Sequence, residues 1–457
     1  IFMQCLLALI LGLILAEMML PLFNNLFGIP LSIWHGNTAL FGQLILILLG
    51  VTVISGIYPA LVLSGYKPAS VLKGNMQTSY KTLWLRNSLL AGQFVIAIIF
   101  IAGLLIVNNQ LKYMQAEDKG FKPSQVVFIK NIQFYNKPKD FESARNKIMK
   151  IPGVNNVTVA SDIPDGSKPG TNNYKLETKE LSMDFLDVNF DYFETLGIKL
   201  KSGRFFSRDF IADTAVSAIL NETAVARYGV TNPVGKVIRG CNMDYKIVGV
   251  VKDFKAQGFE ATVAPTIYAI KNPCNEKKIK IMVNIDQSSM TSALAALKSQ
   301  WSDINTLDGE DFRYEFLDEL YGKLFKKQEQ LQSVFFFAAM LTIFIAVLGL
   351  FAFSAFTTNN RIKEISIRKI LGATDFQMFK MLNTFFIGIV LIANLIAWPL
   401  AYVLAKKWLE TFAYRIDIPL FPFVIAALFS TVLTVLTVSI QARKAVKTNP
   451  ADALKYE

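Results

Sequence analysis

Histidine is almost absent from this chain. Among 457 residues there is one, His35, in a short loop between two apolar runs. A zinc hydrolase centre or a His-based triad needs more imidazole than that. Cysteine is scarce as well, and Cys5, Cys241 and Cys274 show no metal-type spacing. No G-x-x-x-x-G-K-[ST] loop occurs, so the chain does not bind ATP by that route. Ser161-Asp162 and the acidic pair Glu310-Asp311 read as turn residues, not catalysts. Charge is thin too: 18% of residues are charged and 53% are hydrophobic, where soluble domains carry about 25% charged residues. These shortages leave no catalytic constellation. No enzyme activity, cofactor or metal is expected of the chain itself.

What is abundant is apolar, and it falls in runs of about 20 residues, the length that spans a hydrocarbon core of about 30 Å as a helix. Six runs occur, at 2–21, 41–63, 88–107, 331–355, 385–405 and 420–440. Between the third and fourth lies a polar stretch, 110–330, long enough for one large or two small soluble domains. The net charge of +12 sorts with this pattern. Loops 64–87, 356–382 and 441–457 hold 13 Lys/Arg against 4 acids, whereas 110–330 holds 31 against 28. Basic residues in short loops beside span ends stay cytoplasmic. The three loops therefore lie inside, and 110–330 lies outside. Because the charge follows topology and not one soluble face, membrane lipids are expected partners and nucleic acid is not. Cys5 then falls in the membrane. Cys241 and Cys274 face an oxidising compartment, where two separate thiols are favoured over a disulfide. Glu17, an acid inside the first run, is a functional candidate by default, although its place near the outer end suits a structural role equally well.

Two parts of the chain share a layout. Residues 1–75 and 385–457 each show a span, a loop with an I-x-x-P-L or I-P-L element, a second span and a basic ending. The endings align as Pro68-Ala69 before Leu72-Lys73, and Pro450-Ala451 before Leu454-Lys455. Parallel repeats of this kind pack as pseudo-symmetric halves. The chain starts at Ile1 and reads as the middle of a longer protein. Four segments are expected. Residues 1–75 are the last two spans of a first module, and 76–110 a cytoplasmic linker with the first span of a second. Residues 111–330 are an external domain with stalk helices, and 331–457 hold three spans and a cytoplasmic helix.

The external stretch reads as α+β. A helix is predicted at 141–150, with strands at 154–160, 185–189, 245–251, 266–270, 279–285 and 313–317. Asn221 caps a short helix, 222–228, stopped by Gly229. Residues 162–173, with Pro164, Gly166, Pro169 and Gly170, read as a loop and as a candidate subdomain boundary. The ends 108–118 and 317–332 read as helices that pair as a stalk.

The most informative segment is 360–373, NRIKEISIRKILGA, a basic helix between two spans. At 100° per residue, Arg361, Glu364 and Arg368 fall within an arc of roughly 60°, with Ile362, Ile367, Ile370 and Leu371 spread over the other side. Glu364 precedes Arg368 by four, the favourable order for a weak pair. Gly372 permits a turn, and Thr374-Asp375 offers a new cap. A loop that only fixed topology would scatter its Lys and Arg. A capped amphipathic helix reads as a docking element.

NRIKEISIRKILGATDFQMF resembles the R-x-x-E-I-x-x-R-[RK]-x-x-G-A pattern of MacB/FtsX-type ABC transporter permeases, and the P-A-x-x-L-K ending matches their usual C-terminus. DVNFDYFETLGIKLKSGRFF (187–206), ILNETAVARYGVTNPVGKVI (219–238) and YKIVGVVKDF (245–254) look like their periplasmic domain. The resemblance covers 85–457 as a full module and 1–75 as a partial one. Near Asn383-Thr384, relatives often carry an acid that this chain lacks. The fold implied is an α-helical transmembrane bundle, six spans here, with an α+β periplasmic MacB-type domain on a helical stalk, in a bacterial inner membrane. The function implied is a permease subunit that couples ATP hydrolysis by a separate ATPase chain to periplasmic movement, exporting a peptide, antibiotic or lipid-linked substrate. Arg361, Glu364, Ile365, Arg368, Lys369, Gly372 and Ala373 are the implied ATPase-coupling residues. Other implied partners are a second copy, or a missing first half acting as an intramolecular pseudo-dimer, and a periplasmic adaptor. The alternatives are a scaffold that regulates cell-wall hydrolases, and a lipoprotein-releasing permease.

Overall fold

The computed structural model describes residues 1–34, 38–64, 80–130, 138–271, 273–274, 280–305 and 311–446. His35, Glu310 and both P-A-x-x-L-K endings lie outside the described residues. The chain divides into two compact units. One holds Ile1–Phe100, Ser333–Ala397 and Ala426–Glu457; the other holds Ile101–Gln332 and Trp398–Ile425.

All six apolar runs are helical, within Phe2–Phe27, Thr38–Ser64, Tyr80–Ala116, Lys326–Asn360, Asp375–Leu409 and Phe421–Val446. Each contains a stretch long and apolar enough to cross a membrane. Tyr80–Ala116 runs for 37 residues, about 55 Å at helical rise, which exceeds a hydrocarbon core of about 30 Å. Within the first unit, packing is by small residues and aromatic edges. A Cβ on Gly349 would meet Gln93 Oε1 at 2.6 Å, so the Tyr80–Ala116 and Lys326–Asn360 helices approach closely there. Phe353 sits edge-on to Phe386 at 5.6 Å, and the Arg86 guanidinium lies 4.3 Å from the centre of the Phe356 ring. Asn383 donates to Phe379 O at 3.0 Å and to Ser439 Oγ at 3.3 Å.

The second unit is built on eleven strands. They are β1 (Val126–Lys130), β2 (Val154–Ala160), β3 (Thr171–Leu176), β4 (Lys179–Asp187), β5 (Leu200–Gly203), β6 (Ser217–Asn221), β7 (Val237–Gly240), β8 (Met243–Val251), β9 (Thr266–Ala269), β10 (Lys280–Ile285) and β11 (Arg313–Phe316). An antiparallel sheet runs β11-β1-β10-β2. Its alternating residues Ile281, Val283 and Ile285 cluster with Phe141 and Ile148 of helix Pro138–Ile148 and with Leu297 of helix Met290–Ser299, while Met282 joins a different core. That is the period of two expected of a strand with helices on one face. The other sheet runs β5-β8-β6-β9-β4-β3-β7, and β7 also pairs with β8. Six strands thus close into a ring, which removes the exposed edges an open sheet would leave. Tyr174, Leu220, Tyr245 and Ile267 belong to one core of this ring; Ile219 and Tyr268, their strand neighbours, belong to the other.

Three sequence expectations change. Residues 171–173 are strand β3, not loop, because Tyr174 and Leu176 have a ring interior to fill. β1, β5, β6 and β7 were not anticipated. Cys241 and Cys274 form a disulfide, with Cα atoms 5.4 Å apart, and are not separate thiols. The cause is local. Cys241 and Asn242, at φ 54° and 57°, make the two-residue turn between β7 and β8. That turn puts Cys241 within disulfide reach of Cys274. Asn221 does cap helix Glu222–Tyr228, accepting from Ala224 N at 3.0 Å, and Gly229 ends it at φ 74°.

The expected stalk ends are present in this unit. Leu111 and Met114 share a core with Leu317, Tyr321 and Phe325. Gln332 Nε2 donates to Asn108 Oδ1 at 3.0 Å. The turn after Leu409 joins them: the fully buried Gln110 donates to Tyr414 O at 3.0 Å and accepts from Ile416 N at 3.0 Å.

Candidate functional site

The inner segment is helix Ile362–Ile370, entered through a turn in which Arg361 N donates to Thr358 O at 3.1 Å. Ile365 and Ser366 are buried and anchor one face. Glu364 and Arg368 pair at 2.7 Å on the outer face, each about half-exposed. Their i,i+4 order makes this a weak stabiliser of roughly 0.3–0.5 kcal/mol. Lys369 reaches Asp375 at 3.7 Å and ties the helix to the start of the next one.

The exit is hydrogen-bonded at every step. Gly372 N donates to Lys369 O at 3.1 Å, and Ala373 N donates to Arg368 O at 3.0 Å. These two bonds make a Schellman close, which needs a left-handed residue after the cap. Gly372 supplies it at φ 91°. Thr374 then opens helix Asp375–Leu409. Its N–H donates to Gln377 Oε1 at 3.0 Å, and its Oγ1 accepts from Gln377 N at 3.4 Å. This reciprocal pair is a capping box. Gly372, Ala373 and Thr374 therefore form a defined corner in place of a loose loop.

The apolar residues at this corner differ from their expected placement. Ile367, Ile370 and Leu371 are 49%, 62% and 81% exposed, and Phe376 is 75% exposed. The anchoring face is Ile365-Ser366, with Ile362 half-buried. The outward isoleucines share the surface with Arg368, and a depression there is lined by Arg368, Leu371, Gly372, Ala373, Gln377 and Met378. Sequence reading did not single out Phe376 or Met378. The Thr374 cap was the available signal, since it sets both in the first turn beyond the corner. Such a surface, large apolar side chains framed by charge, suits a protein groove. It holds no nucleophile, base or metal-ligand cluster. Of the seven candidate residues, Arg361, Glu364, Arg368, Lys369, Gly372 and Ala373 lie on or around this corner, and Ile365 anchors it from behind.

Two protein families match parts of the chain. The FtsX-like permease C-terminal family matches residues 336–450, and the MacB-like periplasmic core domain family matches residues 94–300. The ABC transporter permease YknZ of Bacillus subtilis (strain 168) is 24% identical over 285 residues, 59% of this chain and 69% of that protein. The macrolide export ATP-binding/permease protein MacB of Chromobacterium violaceum is 23% identical over 289 residues, 61% of this chain but 44% of its own length. The chain thus spans less than half of that relative. The crystallised periplasmic region of MacB from Actinobacillus actinomycetemcomitans aligns with 46% of this chain and 97% of its own, at 18% identity and a TM-score of 0.33. With both families matched in order along one multi-pass membrane chain, the protein is an ABC transporter permease of the MacB/FtsX type.

Proposed function

We propose that this permease transmits ATP-driven movement of a separate ATPase chain to its periplasmic domain. The observation that carries the reading is the corner at 361–376, a rigidly capped helix that displays Ile367, Ile370, Leu371 and Phe376 beside Arg368. Arg368, Lys369 and Glu364 give the surface its charge. Arg361 starts the helix, Ile365 holds it down, and Gly372 with Ala373 fixes its exit. Similarity to a macrolide exporter supports outward transport across a bacterial inner membrane, with a peptide, antibiotic or lipid-linked molecule as the proposed substrate. Residues 1–75 fit the last two spans of a first module, 76–110 a linker and span, 111–330 the periplasmic domain with its stalk, and 331–457 the second permease module. A second such corner, from another copy or from a first module, would complete the ATPase-binding face, and a periplasmic adaptor would continue the route.

The test is ATPase stimulation. Arg368→Glu or Glu364→Lys should reduce stimulation of the cognate ATPase by at least about tenfold, the effect of roughly 1.4 kcal/mol, while leaving insertion and amount in the membrane unchanged. Full stimulation by both variants would remove the coupling assignment.

A further inference from the structure

The external unit carries a cleft that the coupling corner does not explain. Two loops wall it. One is 161–170, with Pro164 and Pro169; the other is 253–264, which follows β8. Gly166 N donates to Ala256 O at 3.1 Å and joins them. Tyr192 and Tyr268, with ring centres 6.3 Å apart, lie beneath. The space amounts to about 40 Å³, room for roughly three waters. It fits the end of a ligand, not a drug-sized molecule.

Three polar groups line this space without adequate partners. Tyr192 is 1% exposed, and its hydroxyl has no hydrogen-bond partner among the described residues. The Ser167 hydroxyl is buried in the same state. Asp184 is 4% exposed, has no ion pair among the described residues, and receives one long contact, from Gln257 Nε2 at 3.5 Å. Burial pushes the Asp184 carboxyl up, against the opposite pull of Lys168 and Gln257. Burial also raises both tyrosines, with Asp162 adding to the effect at Tyr192 and Asp184 at Tyr268, so the hydroxyls stand near the acids of the lining. Of the nearby cations, Lys280 is engaged with Asp162 at 3.1 Å, and Lys255 donates to Asp118 O at 2.6 Å. Lys168 is exposed. Buried polar groups left unpaired cost free energy, and here three converge on one space.

We propose that this cleft binds a protonated primary amine, held by the Asp184 carboxylate and the Tyr192 and Ser167 hydroxyls. An ammonium group has three donors and no acceptor, which matches one carboxylate and two hydroxyl oxygens. A carboxylate or phosphate would meet Asp184 with like charge. A neutral alcohol would leave the buried carboxylate without a counter-charge.

The cleft is also tied to the stalk, all within the same unit. Gly166 and Gly258, at φ 90° and 82°, both abut Leu324 of the turn Lys323–Phe325, and a Cβ on Gly258 would lie 3.3 Å from Leu324 Cδ1. Lys255 N donates to Lys119 O at 2.8 Å, and Lys255 O accepts from Tyr321 Oη at 2.8 Å. Phe259 O accepts from Tyr414 N at 3.1 Å, and Glu260 Oε1 accepts from Gln328 Nε2 at 2.8 Å. An occupant of the cleft therefore stiffens loop 253–260 and the helix ends it holds.

The test uses the full chain in lipid nanodiscs, in phosphate buffer free of other amines, with n-propylammonium, n-propanol and propionate as probes. Hydrogen exchange is followed by mass spectrometry. Propylammonium should slow exchange at 161–170 and 253–260, while the other two probes should not. Asp184→Asn should weaken the apparent affinity about 10- to 100-fold, the size of a lost charged hydrogen bond. Tyr192→Phe should weaken it several-fold while leaving the unliganded protein at least as stable, which a purely structural hydroxyl would not do. If Asp184→Asn does not fold, Ser167→Ala at the rim carries the same test and should weaken binding several-fold. An equal response to propanol, no response to propylammonium, or unchanged affinity in the folded variants overturns the proposal. The readout needs no ATPase, so its failure and that of the coupling corner are separate results.

Discussion

The two units differ in how much of their large side chains they cover. In the external unit the largest side chains are hidden: Tyr174, Tyr192, Tyr245 and Tyr321 are all less than 2% exposed. In the membrane unit Phe94 and Phe386 are buried, but many large apolar side chains are displayed: Leu395, Ile54 and Met18 are 78%, 75% and 73% exposed, and helix Phe2–Phe27 buries none of its residues. The external unit closes its own core because water surrounds it. The membrane helices are covered by lipid, which is as apolar as leucine, so they pack through small residues and polar contacts instead. Exposure on the spans is therefore ordinary. Exposure at the inner corner, where Ile367, Ile370, Leu371 and Phe376 sit among Arg368, Lys369 and Glu364, is the surface that the proposed ATPase contact would cover.

Mutations can break or sharpen this contrast, and the largest effect should come from the external unit. Asp213 is fully buried and takes both Arg204 nitrogens, the Nη2 bond at 2.9 Å, with Ser207 N at 2.9 Å and Ser217 Oγ at 2.7 Å. Arg204→Ala leaves that carboxylate buried without its cation and should cost about 3–4 kcal/mol, read as a lowered unfolding temperature in detergent. Next, Leu220→Ala, in the ring core, should cost about 3 kcal/mol, while Leu395→Ala should leave the external transition within about 0.5 kcal/mol. Equal costs at the two leucines would break the comparison.

A pH series sharpens the same point. Burial alone would raise the Asp213 carboxyl, but Arg204, Ser207 and Ser217 together hold it below its ordinary value of 3.8. A carboxyl with a depressed folded pKa stabilises fully above the ordinary value, and that stability is lost as pH falls through the depressed one. The external transition should thus weaken as pH falls below about 4, and Asp213→Asn should lower stability at neutral pH and flatten this acid limb. A limb of unchanged steepness would show that other carboxylates govern it. A smaller cost than at Arg204 or Leu220 is expected at the inner corner. Thr374→Ala removes half the capping box and should cost about 1 kcal/mol, with no shift of the external transition.

Much of this was legible in the sequence, for identifiable reasons. The spans follow from run length, and the inner helix from the spacing of Arg361, Glu364 and Arg368 with Gly372 after them. Asn221 and Gly229 marked a short helix because caps are local chemistry. The strand before it, SAILN, went unread because five residues carry too little period to separate a strand from a helix lead. VVFIK at β1 had the same fault. β3 was hidden by its neighbours: Pro164, Gly166, Pro169 and Gly170 signal a loop, and the expected loop runs on to 173, although it ends at Gly170 and β3 starts at Thr171. The disulfide depended on a turn that sequence spacing does not measure. At the inner corner, sequence reading sorted residues by polarity, whereas tertiary packing placed Ile365 and Ser366 inward and left larger apolar residues outside.

The side-chain amide of Gln110 has one donor and one acceptor engaged on the same neighbouring segment, Tyr414 O and Ile416 N. It behaves as a peptide group turned sideways, and it fixes which turn of the Tyr80–Ala116 helix meets that segment. A displacement of less than one helical turn strands both bonds in a buried setting. The amide therefore acts as a latch with one seated position: one turn to either side the helix offers Ile106, Val107, Tyr113 or Met114, none of which can remake the pair of bonds.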